Sequence, residues 1–331
     1  MKGSVSAGGV SSFIAAIQGL LPLRRAERRT FLLLVIPLAM FGIPRSGEGG
    51  GLTLAVIPRS GEGGGLVLAV TPRTVIQGQT VRVRVRTDVP PYAIRLRAGS
   101  AIVPLHRYAG GYQAFLGTSP LTHPGMLDVQ VVVRRPGRQQ TETEQLTATE
   151  QLHVRGGAFG IRRLRVSREL LDPELVARER RRIAAATAAP LPIPLWAGRF
   201  RFPVNGPVTS SYGVRSIYNG IPRGYHLGVD FRSPAGTPVH AAQHGLVTLA
   251  EALPLSGQTL VLDHGAGVFT TYQHLSAIAV RPGRRVAVGE VVGRVGSTGL
   301  STGPHLHWGM RIHGVRVNPL DWTVAGPLTT P

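Results

Sequence analysis

From Val81 to Arg86 valine and arginine alternate strictly, the period-two pattern of a strand with one apolar and one charged face. Further strand-like runs come at 92–97, 101–107, 111–117, 127–134 and 145–154, separated by PP, GG, HPG and PG turns. Strands this short and closely spaced predict a small antiparallel sandwich over 71–156, immunoglobulin-like in plan. The period then changes. Asp172 is placed to cap a helix with Pro173 at its first position and Glu174 in its first turn, and VARERRRIAAATAA carries it to about Ala189. Pro190, Pro192 and Pro194 end it and favour extended backbone. The stretch 157–196 is therefore read as a linker with one helix and a proline-rich arm, which Trp196 and Phe200 dock onto the next domain. From 197 to 331 strands return, at 237–250, 258–264, 267–274, 286–295 and 305–312, between glycine turns and without a long helix.

Ahead of these regions, residues 1–70 have no globular pattern. An apolar run from Phe31 to Ile43 comes after Arg24, Arg25, Arg28 and Arg29 and is shorter than the ~20 residues of a membrane span, so it reads as an export signal. Arg28-Arg29-Thr30-Phe31-Leu32 also resembles a twin-arginine signal. IPRSGEGGGLTLAV at 43–56 is repeated at 57–70 with one change, Thr53 to Val67, and its glycine triplets suit a flexible spacer. TETEQL at 141–146, succeeded by TATEQL at 147–152, is a second, shorter duplication.

Composition narrows the partners. The 331-residue chain has room for two domains and carries a net charge of +20, with 36 arginines and one lysine. Half of that excess sits in 71–196, which holds 19 arginines and nine acids. Such a protein seeks polyanions. Charge alone does not choose among nucleic acid, an anionic membrane and an anionic polymer of the cell envelope, but no zinc-finger, basic-leucine-zipper or RNA-binding signature is present, so a specific nucleic acid is not expected. Contact with a membrane is expected only through the N-terminal signal, if that is left uncleaved. With no cysteine, disulfides and thiolate ligands are excluded.

The chemistry concentrates in GYHLGVD at 224–230 and GPHLHW at 303–308. His226 and Asp230 are four apart and His305 and His307 two apart, so on extended backbone each pair projects from one face. Two imidazoles and a carboxylate then converge on one cation. That donor set suits zinc, and three protein ligands leave a fourth position open, the arrangement of a hydrolytic site. His240, His244 and His264 read as structural residues near the groove, and His313, in a hairpin turn, as exposed. His106, His123 and His153 are scattered along the sandwich and read as strand or turn residues.

At these motifs the C-terminal third resembles the lysostaphin-like (LytM-type) zinc metallopeptidases. The resemblance rests on His226-x-x-x-Asp230, Tyr272-Gln273-His274-Leu275 and His305-Leu306-His307, with SYGVR at 211–215, PAGTPVHAAQHGLV at 234–247, GSTGLSTGPHLHW at 296–308 and NP at 318–319 in family order. It implies a mainly β chain whose compact antiparallel peptidase domain, 197–331, carries an open groove. It implies His226, Asp230 and His307 as ligands of one Zn2+ per chain, and His274 and His305 as the residues that orient and deprotonate water and stabilise the oxyanion, without dividing those roles between them. The implied activity is hydrolysis of peptide stems or cross-links of bacterial peptidoglycan by an exported endopeptidase, in the periplasm, at the cell envelope or secreted. The alternative within the same fold is a non-catalytic wall-binding or amidase-activating protein. Gln273 and Gly309 depart from the commonest family spelling, where a small and an acidic residue stand. The front region is expected to hold the enzyme near an anionic polymer without contributing to hydrolysis.

Overall fold

The computed structural model describes residues 55–56, 65–88, 90–137, 142–166 and 172–323; the expected export signal and most of the first duplication lie outside them. The described residues are mainly β, in largely antiparallel sheets.

In the front half, strands Ala55–Val56, Leu66–Thr71, Thr80–Thr87, Gly111–Gly117 and His106–Tyr108 form one five-stranded sheet, in that order. Thr74–Ile76, Thr143–Arg155, Gly125–Pro136, Ala93–Ala98 and Ala101–Val103 form a second. Alternate residues of both, among them Val81, Val83 and Val85 from the first and Val129, Val131 and Val133 from the second, enclose one apolar core. The longest pairing joins Thr143–Arg155 to Gly125–Pro136, from Thr143 opposite Pro136 to Val154 opposite Gly125. From Thr143 onward both copies of the short duplication lie on Thr143–Arg155. Their leucines, Leu146 and Leu152, both reach the core, and the glutamates two residues before them, Glu144 and Glu150, are ion-paired with Arg135 and Arg73.

Of the charged face expected along Val81–Arg86, Arg86 is exposed and Arg84 half-buried, but Arg82 is not left to solvent. Arg82 is buried because it lies directly opposite Phe115, whose ring meets Trp322 at 5.3 Å and Trp196 at 6.1 Å between centroids. Trp322 sits in a short 3-10 helix, Pro319–Trp322, and its indole donates to Thr80 Oγ1 at 3.1 Å. Phe115 thus belongs to the same core as the C-terminal strands. The cover over this face comes from residues far along the chain, which local alternation does not register.

Between the halves, helix Pro173–Ala186 starts as its cap predicts, Asp172 accepting from the Glu174 N–H at 3.0 Å, and stops three residues short of Ala189. Ile183 buries its apolar side against Leu249, Leu253, Val261 and Phe269. The same stretch carries an element that was not expected: strand Ile161–Leu164 pairs in parallel with Arg215–Tyr218, which pairs in turn with Ile221–Tyr225. Its residues, IRRL, show no apolar alternation.

The C-terminal sheet has ten strands. Its path runs Val208–Ser210, Val229–Arg232, His305–Ile312, Val268–Ile278, Gly257–Asp263, Gly245–Leu253 and Arg285–Val286, with Pro238–His240, Val291–Val295 and Val315–Val317 paired alongside. One face buries Leu306, Trp308, Met310, Tyr272 and Val317 in the shared core. The opposite face, over the middle strands, carries the site.

Candidate metal centre

Strand Val229–Arg232 pairs with His305–Ile312 so that Asp230 lies opposite His307, and His307 lies opposite Gln273 of Val268–Ile278. His226 is not on a strand: it occupies the turn between Ile221–Tyr225 and Val229–Arg232. The one-face argument for His226 and Asp230 is therefore replaced by a fold-back of the chain, and Gly228 permits it, since a Cβ there would stand 2.5 Å from His307 Nε2. For His305 and His307 the argument holds, as they alternate with buried Leu306 and Trp308 along one strand.

His226 Nε2, His307 Nδ1 and Asp230 Oδ1 lie 2.8–3.0 Å from one another. His226 Nδ1 donates to the Ser211 carbonyl at 2.9 Å and lies 3.1 Å from Ser210 Oγ, which leaves the Nε2 lone pair facing the cluster. Burial opposes charge on Asp230, but the adjoining His226 and His307 hold its carboxyl below the usual carboxylate range. Burial pushes His307 down to about 4, so its imidazole is neutral at physiological pH. Lone pairs packed this closely around one carboxylate need a cation among them. Two imidazole nitrogens and a carboxylate oxygen form a donor set that fits zinc.

His274 and His305 stand beside this cluster. Their rings are 4.8 Å apart between centroids, and His274 lies 6.2 Å from His307. His274 Nδ1 donates to the Thr298 carbonyl at 2.8 Å and His305 Nδ1 to that of Gly303 at 2.8 Å, so each keeps Nε2 as an acceptor. Burial, reinforced by His307, pushes His274 down to about 3. By alternation His274 would share the core-facing side of Tyr272. Instead its φ is +60°, which turns the side chain to the other face. Tyr272 stays buried on the core side, where its hydroxyl accepts from the Ala242 N–H at 2.9 Å and from Thr270 Oγ1 at 3.1 Å. The turned backbone is held by the His274 N–H, which donates to the Ser256 carbonyl at 2.9 Å.

Two further side chains reach this site from the stretch expected to be a linker. Arg162, on strand Ile161–Leu164, donates to Ser216 Oγ at 3.0 Å and Ser210 Oγ at 3.2 Å, and its guanidinium lies 3.5 Å from the outer oxygen of Asp230. Glu179, buried on the helix, accepts from the Leu255 N–H at 2.7 Å and from Ser256, the residue whose carbonyl holds His274. Residues 157–196 are thus more than a connection, since both the ligand set and His274 lean on them. The charged IRRL strand gave no sign of pairing, and a glutamate inside an arginine run looks like a solvated helix face. Among the remaining histidines, His264 is fully buried with Nε2 2.7 Å from Thr270 Oγ1, and His313, expected to be exposed, is half-buried.

The five residues line an open groove of about 230 Å³ together with Arg162, Tyr218, Gln273 and Arg316. Over the stretch that builds it, residues 224–319 match peptidase family M23. The chain is 45% identical over 105 residues to the DD-carboxypeptidase/endopeptidase Mpg of Neisseria meningitidis, a match covering 32% of this chain and 24% of that protein. It is 37% identical over 123 residues to the peptidoglycan DD-endopeptidase ShyA of Vibrio cholerae, covering 36% of this chain and 29% of that protein. The chain thus spans less than a third of the length of either relative. A crystal structure of a Pseudomonas aeruginosa protein described as an M23 peptidase aligns over 74% of this chain and 92% of its own, with a TM-score of 0.52 and 28% identity. Residues 224–319, which carry His226, Asp230, His274, His305 and His307, therefore form a domain of peptidase family M23.

Proposed function

We propose that this protein is a zinc endopeptidase that hydrolyses peptide bonds in bacterial cell-wall peptidoglycan. The observation that carries the reading is the convergence of His226 Nε2, His307 Nδ1 and Asp230 Oδ1 on the floor of an open groove, with two further imidazoles alongside. His226, Asp230 and His307 would hold one zinc ion, which supplies a Lewis acid and lowers the pKa of water. His274 and His305, each with Nδ1–H committed to a backbone carbonyl, offer Nε2 to accept a proton from water and return it to the departing amine. Arg162, 3.5 Å from its outer oxygen, helps to orient Asp230. The substrate class is taken from the named activities of the relatives, and it supports a location outside the cytoplasm. The +20 charge would favour retention on anionic envelope polymers.

The test is digestion of purified peptidoglycan by the full chain, with and without a chelator, and mass analysis of the fragments. New peptide termini that appear only without chelator, and return on adding zinc, are the expected result. Intact material under every condition would sink the reading.

A further inference from the structure

The sheet that carries the metal centre also carries an uncompensated pair of arginines. Along His305–Ile312 the residues His305, His307, Gly309 and Arg311 fall on one face. Arg311 lies directly opposite Arg316 of strand Val315–Val317. Both are half-buried, and among the described residues no carboxylate forms an ion pair with either guanidinium. Like charges facing each other across a strand pair destabilise a sheet, and half-buried charges without counter-ions cost more still. Burial and Arg316 together push Arg311 down to about 9. Glu179, the acid on the helix whose charge is felt at Arg316, has its carboxylate committed to Leu255 and Ser256.

These arginines are not remote from the groove. Arg316 lines it with the histidines, and Arg311 and Arg316 line a smaller cavity that shares Leu227, Gln273 and His307 with it. Gly309 keeps the row between His307 and Arg311 free of side chain; a Cβ there would stand 2.6 Å from Thr271 Oγ1. Arg311 is four residues along the strand from His307, ~13 Å at the usual rise. That is the reach of a few residues of extended peptide.

We infer that Arg316, backed by Arg311, forms a subsite for a carboxylate of the peptide substrate, so that the groove selects acidic over neutral peptides. This rests on reading the groove as a peptide site. An incoming carboxylate supplies the missing counter-charge, and a guanidinium can grip it with two parallel hydrogen bonds.

The test measures binding by calorimetry to the full chain, both zinc-loaded and metal-stripped, so that it does not depend on hydrolysis. The probes are acetyl-Ala-Glu-amide and its neutral counterpart acetyl-Ala-Gln-amide. The acidic peptide is expected to bind about tenfold tighter or better, as one charge-assisted contact provides. Arg316→Gln should abolish that preference and Arg311→Gln reduce it, while Arg95→Gln, which removes the same charge from a distant exposed site, should leave it intact. Arg316→Lys, which keeps the charge, should retain part of it and covers the case in which the glutamine variant does not fold. Equal binding of the two peptides to the unmodified chain would overturn the inference. So would an equal loss in Arg95→Gln, which would reduce the effect to overall charge, or Arg316-dependent binding of inorganic phosphate with no binding of the acidic peptide. Failure to cut peptidoglycan alongside a retained, Arg316-dependent preference would overturn the proposed activity and leave the subsite standing.

Discussion

The front sheets and the C-terminal sheet obey the same two-residue period, and they differ in where it breaks. Along Thr80–Thr87 and Gly125–Pro136 the valines point inward at every second position. That regularity builds a core, and among the described residues no cluster of ligating side chains comes from it. Along Val268–Ile278 the period fails at His274, whose positive φ brings its imidazole to the groove side. A non-glycine residue held there costs on the order of 1–3 kcal/mol, and the contacts with Ser256 and Thr298 hold it in place. His226 likewise leaves strand geometry to meet Asp230 and His307. Regular strands carry Asp230, His305 and His307, and the other two site residues enter where the chain departs from that geometry.

The largest effect that separates the regions is expected at the ligand set. Asp230→Ala and His307→Ala should each lose most of the bound zinc and, with it, detectable hydrolysis, as read by metal analysis of purified protein. Normal zinc content in both variants would remove the distinction between this cluster and an ordinary polar group on a strand. Next come His274→Ala and His305→Ala, which should keep the metal but lose on the order of 10² to 10⁴ in rate. Loss of zinc from a folded His274 variant would move that residue into the ligand set.

A third substitution asks whether the two regions are separable at all. Phe115→Ala removes a fully buried ring that a front strand contributes to the core of the other half, and should cost about 3–5 kcal/mol in urea denaturation. If unfolding proceeds in two transitions and only the first moves, the shared core does not couple the halves. The smallest effect is expected at Arg95, exposed on the outer face of the second front sheet. Arg95→Gln should change stability by no more than about 0.5 kcal/mol, and a larger loss would mean that this face is covered.

Much of the architecture was legible in the residues. The strand expected at 305–312 is His305–Ile312, that at 111–117 is Gly111–Gly117, and Asp172 and Pro173 start the helix. These features come from local alternation and capping. The five residues singled out by the ordered motifs all line the groove. The features with no local trace depend on distant partners. Arg82 is buried by Trp196 and Trp322 acting through Phe115, and strand Ile161–Leu164 exists because Arg215–Tyr218 offers it an edge. The left-handed backbone of His274 has no signature in its side chain, unlike the glycines that mark such positions elsewhere.

The short duplication on strand Thr143–Arg155 has a consequence for how this protein tolerates change. An insertion of six residues is even in number, so a sheet with a period of two receives the copied segment with no side chain turned inside out. Lengthening by five or seven would have put Gln145 and Thr147 toward the core and Leu146 and Ala148 toward water. Replication errors in this strand are thus filtered by parity: even insertions extend the hairpin, and odd ones invert it.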